Sequence, residues 1–273
     1  MELWDAVRDT LRAAGAAACG VTAIGPSEAL PGMRTAVCAA FSYLAEDRDA
    51  PICRYARGRD YHRALTEAME PAAAQLRQAG FRARTLADTS PLPEVRTALQ
   101  AGLGVLGENG LLIVPGAGSW VVLGFIVTDA EPPAAEPVPL RRCRGCGACR
   151  RACPAGALSE KGVDADRCLS AVTQRKGELT PDEEAMMRRV GTLWGCDVCQ
   201  RVCPENRGAK GARLAVFRED LIDDLKPADL EGLSNRTLKE KYPDRAFTWR
   251  GPAVLRRNAQ VIHGDLGRTL DKQ

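Results

Sequence analysis

The spacing of apolar residues predicts two amphipathic helices in the N-terminal half of the chain. The first ends near Gly15, and the second runs from Tyr61 to Gly80. The apolar positions of the first are Leu3, Trp4, Val7 and Leu11. Those of the second are Leu65, Met69, Ala72 and Leu76. Residues three or four apart lie on one face of a helix, so each set forms a face that can be buried.

Strand patterns lie between and after these helices. Residues 35–43 are a run of small apolar side chains, which predicts a buried strand. Residues 81–87 alternate apolar and basic positions, which predicts a strand with one face toward a core. Residues 110–114 and 120–128 are further strand candidates. This alternation of strands and helices favours a layered α/β domain over residues 1–130.

Asp88 lies where a predicted strand ends and a predicted helix begins. Asp88, Thr89 and Ser90 precede Pro91 and a helical stretch that reaches Leu99. Because Asp and Ser are favoured caps and proline suits the first helical turn, cap statistics favour a helix N-cap at Asp88. A functional carboxylate is the alternative.

The second half of the chain divides into three parts. Residues 131–140 are rich in proline and predict an extended linker. Residues 141–210 hold the cysteine-rich domain, which includes a helix that starts near Pro181 with acidic residues in its first turn. Residues 211–273 predict a basic helical tail, in which Ser234 caps one helix.

Eight of the chain's 11 cysteines fall between Cys143 and Cys203. The first four follow the C-x2-C-x2-C-x3-C-P spacing of bacterial ferredoxins, in which the fourth cysteine ligates the other cluster. A second group repeats the last three positions of that pattern, but Leu193 stands where its first cysteine is expected. Cys168 is the one other cysteine in the region, so we assign it to the vacant place.

The spacing thus predicts two 4Fe-4S clusters with exchanged terminal ligands. The first set is Cys143, Cys146, Cys149 and Cys203. The second set is Cys168, Cys196, Cys199 and Cys153. Zinc sites and disulfides are the alternatives. A zinc site would not require the x3-C-P ending that occurs in both cysteine groups. Disulfides do not suit a chain without an export signal.

Composition is ordinary for a soluble globular protein. The 273 residues are 45% hydrophobic and 27% charged, with a net charge of +3. The N-terminus does not resemble a secretory signal, and no apolar run reaches the roughly 18 residues of a membrane helix, so we expect a cytoplasmic protein. Arginines flank the first cysteine group, and arginines and lysines are frequent near the C-terminus. They indicate either a solvated face or contact with phosphates.

Other candidate residues carry weaker signals. Residues 102–107 match G-x-G-x-x-G, but no strand precedes them, so the dinucleotide-binding context is missing. The chain has two histidines, and His62 is interpreted as a polar residue at a helix start. Cys19 and Cys38 are expected in the core. Cys53 precedes a polar and aromatic segment that ends at His62, which is either a solvated loop or the wall of a site.

The sequence resembles the cobalamin-dependent epoxyqueuosine reductases, iron-sulfur enzymes of queuosine synthesis in transfer RNA. The similar stretches cover most of the chain in one order. They include residues 53–62, residues 87–91 around Asp88, residues 101–109, residues 118–123, the eight cluster cysteines, residues 168–177, residues 195–200 and segments between 234 and 258.

The resemblance implies an α+β protein: a nitroreductase-like α/β cobalamin-binding domain, a ferredoxin-like two-cluster domain and a short helical C-terminal segment. It implies that Asp88 is the proton donor, for which its pKa would need to rise by about 3 units. The positions expected to bind cobalamin are Cys53, Asp88, Leu112, Leu123, Ser170 and Asp197. Lys176 is expected near the RNA.

The sequence also departs from the family pattern. Family members usually continue with HEAT-like helical repeats, whereas this sequence ends at Gln273, and the section between Ile24 and Pro31 is short. Glu108 stands where many members have lysine. The chain also has no D-x-H-x-x-G cobalt-ligating motif, so the corrin would bind without a histidine from such a motif.

The expected function is reduction of epoxyqueuosine to queuosine in tRNA. The expected partners are the tRNA anticodon stem-loop, bound in part by C-terminal arginines and lysines, and an external low-potential electron donor. We expect a monomer. Two other functions stay open: reduction of a smaller epoxide or halogenated substrate, and electron transfer to a partner by a non-catalytic ferredoxin-type carrier.

Overall fold

A computed structural model describes residues 2–45, 48–133 and 138–264. The α-helices are α1 (Glu2–Ala13), α2 (Arg54–Arg57), α3 (Tyr61–Gln78), α4 (Glu94–Gln100), α5 (Ala148–Ala152), α6 (Leu169–Gln174), α7 (Pro181–Val190), α8 (Val198–Arg201), α9 (Pro227–Leu230), α10 (Asn235–Lys241) and α11 (Pro252–His263). The strands are β1 (Ala18–Ala23), β2 (Thr35–Ser42), β3 (Ala83–Ala87), β4 (Val105–Leu106), β5 (Leu112–Ile113), β6 (Val121–Thr128), β7 (Leu158–Ser159) and β8 (Gly162–Val163).

A four-stranded antiparallel sheet with the order β1-β2-β6-β3 forms the centre of the N-terminal domain. Every residue of β2 is buried, as its small apolar side chains predict. Alternate residues of β2 point to opposite faces. Val37, Ala39 and Phe41 pack with α1 and α3, whereas Ala36 and Cys38 pack on the other face with α4. The mixed α/β fold with helical layers is confirmed.

The prediction of an N-cap at Asp88 is wrong. Helix α4 begins at Glu94 rather than after Pro91, and its N-cap position is Pro93, which gives no side-chain cap. Asp88 and Thr89 have φ angles of 49° and 26°, in the left-handed region that few non-glycine residues adopt. The Asp88 side chain is thereby left free of the helix and turns toward other partners.

Two helix starts in the second half match their predictions. Helix α7 begins at Pro181 with acidic residues in its first turn, and Ser234 caps α10. Thr180 and Glu183 also form a capping box at the start of α7, which was not predicted. The segment predicted as a basic tail contributes side chains to a buried core. Phe247 and Leu255 are fully buried in a core that also contains Trp194 of the cysteine-rich domain. Residues 265–273 of that segment and 134–137 of the linker lie outside the described residues, and the domain boundaries stay predictions.

Polar contacts join the N-terminal sheet domain to the cysteine-rich domain. The Arg54 backbone N–H donates to Asp197 Oδ2 at 2.8 Å, and the Cys53 N–H donates to the Trp194 carbonyl at 2.9 Å. Asn206 Oδ1 accepts from the Ser119 backbone N–H at 2.7 Å. These contacts fix one wall of a cavity against the other. In the described part of the chain, no helix is long and apolar enough to span a membrane.

Candidate functional site

The eight cysteines of the predicted sets line two separate cavities. One cavity is lined by Cys143, Cys146, Cys149 and Cys203. The other is lined by Cys153, Cys168, Cys196 and Cys199. The structure therefore brings together the same two groups that spacing predicts, each with one cysteine from the other motif. Ligation of iron by these groups stays a prediction.

Local packing accounts for the incomplete second motif. Leu193 is fully buried in the core beside Trp194, so the vacant position is used for packing. Cys168 reaches the cavity from the N-terminal end of α6 instead. Gly195 has a φ of 72°, and a Cβ there would lie 2.1 Å from Cys53 Sγ. A side chain at this position would therefore push the chain carrying Cys196 away from Cys53.

Burial dominates the electrostatics of these thiols. Burial, together with nearby charges on Asp197 and Cys168, raises the pKa of Cys196 to about 11 and that of Cys199 to about 12. Burial also raises the pKa of Cys203, and negative charge on Cys146 and Cys143 acts in the same direction. Cysteine ligates metal as the thiolate, so iron has to displace these protons. Among the described residues, no three His, Cys, Asp or Glu side chains are close enough to enclose a single ion, so the sets are defined by the cavities they line.

The larger cavity has a volume of about 470 Å³, within the usual range for cofactor and ligand sites. The cysteines of the second set form one wall. Tyr43, Tyr55 and Tyr61 line the cavity from the N-terminal domain, with successive ring centroids 6.4 and 6.2 Å apart. The Tyr43 hydroxyl and the Gln200 side-chain amide are 3.1 Å apart, which joins this row to the cysteine wall. The row of rings thus runs along the cavity from the second cysteine set toward Asp88.

Asp88 joins the end of this row. The Tyr61 hydroxyl donates to Asp88 Oδ2 at 2.7 Å, and His62 Nε2 lies 3.2 Å from the same oxygen. The other ring nitrogen, His62 Nδ1, lies 2.5 Å from Asp60 Oδ1. His62 therefore bridges two carboxylates, and its ring stacks on that of Tyr61 at 4.4 Å. His62 lies at a helix start, as predicted, because Asp60 caps α3 by accepting from the His62 backbone N–H. Its imidazole ring in addition contacts the Asp60 and Asp88 carboxylates.

The charges in this cluster differ from the sequence expectation. The hydrogen bond from His62, and then that from Tyr61, hold the pKa of Asp88 well below its usual range, although burial works in the opposite direction. Hydrogen bonds to Asp60 and Asp88 raise the pKa of His62 to about 10. The expected upward shift of the Asp88 pKa is therefore not found. At neutral pH the carboxylate is ionised and the exchangeable proton resides on His62.

The remaining predicted cofactor-binding residues are dispersed. Ser170 and Asp197 line the larger cavity. Cys53 is buried and lines a neighbouring cavity of about 260 Å³ that also reaches Cys196 and Asp197. Leu112 packs in the core with its side chain away from the larger cavity, which Leu111 lines instead. Leu123 is half-buried against that core, and Lys176 is exposed beside α6.

Sequence reasoning did not single out part of the polar and aromatic lining, such as Tyr43 and Gln200. The polar segment from Cys53 to His62 was the available signal, and its interpretation as the wall of a site agrees with the structure. Asn109 lines both cysteine cavities. Burial raises the pKa of Cys199, and hydrogen bonding with the Asn109 side chain acts in the opposite direction. An apolar cavity of this size with a few polar side chains in its wall is typical of a cofactor or ligand site.

Comparisons with known proteins address both halves of the chain. Residues 24–89 match the family described as Epoxyqueuosine reductase QueG, DUF1730, and residues 142–206 match the 4Fe-4S double cluster binding domain. The chain is 33% identical to the epoxyqueuosine reductase of Bacillus cereus over 249 residues, 86% of this chain and 64% of the relative. It is 36% identical to that of Gloeobacter violaceus over 258 residues, covering 89% of this chain and 80% of the relative.

Solved structures agree with the sequence relatives. A crystal structure of epoxyqueuosine reductase with an epoxyqueuosine-modified tRNA-Tyr stem loop superposes with a TM-score of 0.84 at 26% identity, covering 95% of this chain and 80% of that one. A catabolic reductive dehalogenase, at 19% identity and a TM-score of 0.52 over 74% of this chain and 31% of that one, shares the fold. This chain spans 64% of the length of its relatives from Bacillus cereus and Listeria monocytogenes. Identity, coverage and fold together assign it to a family: the chain belongs to the epoxyqueuosine reductases.

Proposed function

We propose that this chain reduces epoxyqueuosine to queuosine in tRNA with the help of two 4Fe-4S clusters and cobalamin. One observation carries the proposal: a single cavity has the second cysteine set on one wall and Tyr61 on the other, and the Tyr61 hydroxyl donates a hydrogen bond to Asp88. Reductant and proton source would thus reach one substrate from two sides. Removal of the epoxide oxygen as water consumes two electrons and two protons.

The cofactors would supply the electrons, which the clusters deliver singly and cobalamin, when bound, applies as a two-electron reductant. Cys143, Cys146, Cys149 and Cys203 would hold one cluster, and the second set would hold the other. Ser170, Asp197 and Asn109 would contact the corrin. The match to a double-cluster family over residues 142–206 supports the first assignment. The cavity that Ser170, Asp197 and Asn109 line supports the second.

Residues of the chain itself would hold the proton and transfer it to the departing oxygen. His62 holds it between Asp60 and Asp88, and Tyr61 donates to the same Asp88 oxygen. Because Asp88 is ionised, it can protonate the departing oxygen only by passing on the proton of His62. In this proposal Asp88 touches the substrate and His62 is the proton reservoir. The known Bacillus subtilis structure with its catalytic aspartate loop swung out of the active site supports a role for an aspartate loop in this family.

Turnover by the reconstituted protein tests the function. Anoxic protein with both cofactors and a low-potential donor is incubated with an epoxyqueuosine-containing anticodon stem-loop, and mass spectrometry follows loss of one oxygen atom. We expect conversion of the RNA. Conversion of small epoxides or halogenated compounds without conversion of RNA would contradict the proposal, and so would cluster reduction without any cobalamin binding, the behaviour of an electron carrier.

A further inference from the structure

Trp249 has the most exposed large hydrophobic side chain in the described residues, with 58% of its surface accessible. Its neighbours Phe247 and Thr248 are buried, so the backbone below it is anchored in the core. A single exposed apolar residue needs no special explanation by itself. Trp249, however, also contacts Gln174 and Arg250.

The indole ring is held in one orientation. Trp249 Nε1 donates to Gln174 Oε1 at 3.3 Å, and the Arg250 guanidinium covers one face of the ring, 3.6 Å from its centroid. Arg250 Nε is buried and has no hydrogen-bond partner in the described part of the chain. One face of the ring is thus covered by a cation, and a flat apolar surface is left for a ligand.

Two hydrogen bonds connect this ring, through Gln174, to a residue in the wall of the larger cavity. Gln174 Nε2 donates to the Ser170 carbonyl at 3.1 Å, and Ser170 lines that cavity. Arg257 donates to the carbonyl of Arg175 at 2.8 Å and also to that of Gly177, so it fixes the turn that carries the exposed Lys176. A fixed aromatic ring and an exposed ammonium group therefore lie close to the wall of the proposed active site.

We propose that Trp249, Arg250 and Lys176 form a stacking platform for an unpaired nucleobase of the RNA next to the nucleotide that enters the cavity. This inference rests on the proposed function. Nucleobases stack on aromatic side chains whatever their sequence, and arginine over the opposite face adds a cation–π contribution. Lys176 contacts the adjoining phosphate. A platform here binds the loop of the RNA beside its reacting nucleotide.

Tryptophan fluorescence provides a direct readout. The chain has four tryptophans, and Trp4, Trp120 and Trp194 are at most 7% exposed, so quenching by added RNA reports on Trp249. The holoprotein is titrated with an unmodified anticodon stem-loop RNA and, separately, with a blunt RNA duplex. We expect quenching by the stem-loop and none by the duplex, because paired bases offer no free face.

Variants separate stacking from charge. Trp249→Ala should weaken stem-loop binding about 5- to 150-fold, which corresponds to about 1–3 kcal/mol per stacked base, and Trp249→Phe should restore most of it. Trp249→Ala should leave the salt dependence of binding unchanged, whereas Lys176→Ala should lower its slope by about 0.7–1. Phe81→Ala removes an exposed aromatic ring beyond the far end of α3 and should change nothing.

The outcomes distinguish this inference from the proposed function. Wild-type affinity for the stem-loop in Trp249→Ala, with unchanged iron content, would overturn the platform even if epoxyqueuosine is converted. Equal quenching by duplex and stem-loop would also overturn it. Quenching and weakened binding as expected, without conversion of epoxyqueuosine by wild-type protein, would support the platform and contradict the proposed reaction.

Discussion

The two four-cysteine sets draw on one repeated motif but have very different surroundings. In the first, Cys146 is exposed, and Arg142, Arg144 and Arg151 beside it are also exposed. In the second, burial raises the pKa of Cys196 and Cys199 to about 11 and 12, and the set opens into a cavity of about 470 Å³. A repeated motif therefore produces two sets of candidate ligands, one with an exposed cysteine among arginines and the other in the wall of a cavity.

The polar contacts near the two cysteine sets also differ. Near the first set, Glu108 Oε2 accepts from the Gly147 N–H at 3.1 Å, and its other oxygen lies 3.4 Å from Arg150. Near the second set, the buried Asp197 accepts from the Arg54 backbone N–H, and burial raises its pKa. The first arrangement stabilises a surface loop, whereas the second lies at the contact between two domains.

Removing a ligand from the second set should have the largest effect. Cys199→Ser should lose about four irons per chain and all measurable turnover, because the cluster beside the cavity is missing. Iron analysis and the RNA assay measure both. Cys38→Ala, a buried thiol outside the sets, is the control and should keep its iron. A full iron content in Cys199→Ser would contradict the assignment.

Removing a ligand from the first set sharpens the comparison. Cys146→Ser should also lose about four irons, yet a small chemical reductant should still support turnover, because it can reach the second cluster directly. A protein donor should not support it. Equal turnover with both reductants would mean that electrons do not enter through the first set.

The next largest effect is expected at the proton source. Asp88→Asn should lower turnover about 10²- to 10⁴-fold, the usual range for loss of acid–base catalysis, with iron content unchanged. Asp129→Asn, which affects an ion pair with Arg82 on the surface, is the matched control. Full activity in Asp88→Asn would remove Asp88 from the mechanism.

The pH profile tests His62. Its pKa is raised to about 10, so turnover should fall as the pH rises through about 10, when the imidazolium is lost. Asp60→Asn should move this fall toward the usual histidine pKa near 6.5. The stabilisation of the folded state by protonated His62 is likewise complete below about 6.5 and lost as the pH rises through about 10. A profile that is the same in wild type and Asp60→Asn would assign the proton to another group.

The smallest effect is expected at Glu108. Glu108→Lys should remove the acceptor for Gly147 and repel Arg150, at a cost of about 1 kcal/mol, or about 2–4 °C in Tm. Glu160→Lys is the matched control, because Glu160 pairs with the same arginine but is 90% exposed. Thermal unfolding of both variants measures the difference. Equal Tm values would mean that the Gly147 contact contributes nothing to stability.

Much of the fold could be predicted because its signals are local. The apolar faces of α1 and α3, the buried run of β2 and the cap at Ser234 each depend on residues a few positions apart. The start of α4 could not be predicted from cap statistics, since the chain turns through left-handed angles at Asp88 and delays the helix to Glu94.

The sequence by itself determined the apolar faces of α1 and α3, the buried run of β2 and the division of eight cysteines into two groups of four, because residue spacing encodes them directly. The family followed from resemblance over most of the chain. Only the tertiary structure decided that His62 carries the proton, that three tyrosines line the cavity and that Leu112 packs in the core. Those properties arise from burial and from hydrogen bonds between residues far apart in the chain, such as Asp88 with His62 and Tyr43 with Gln200. A local sequence pattern does not indicate which distant residue will be brought within hydrogen-bond distance, and that residue changes the pKa.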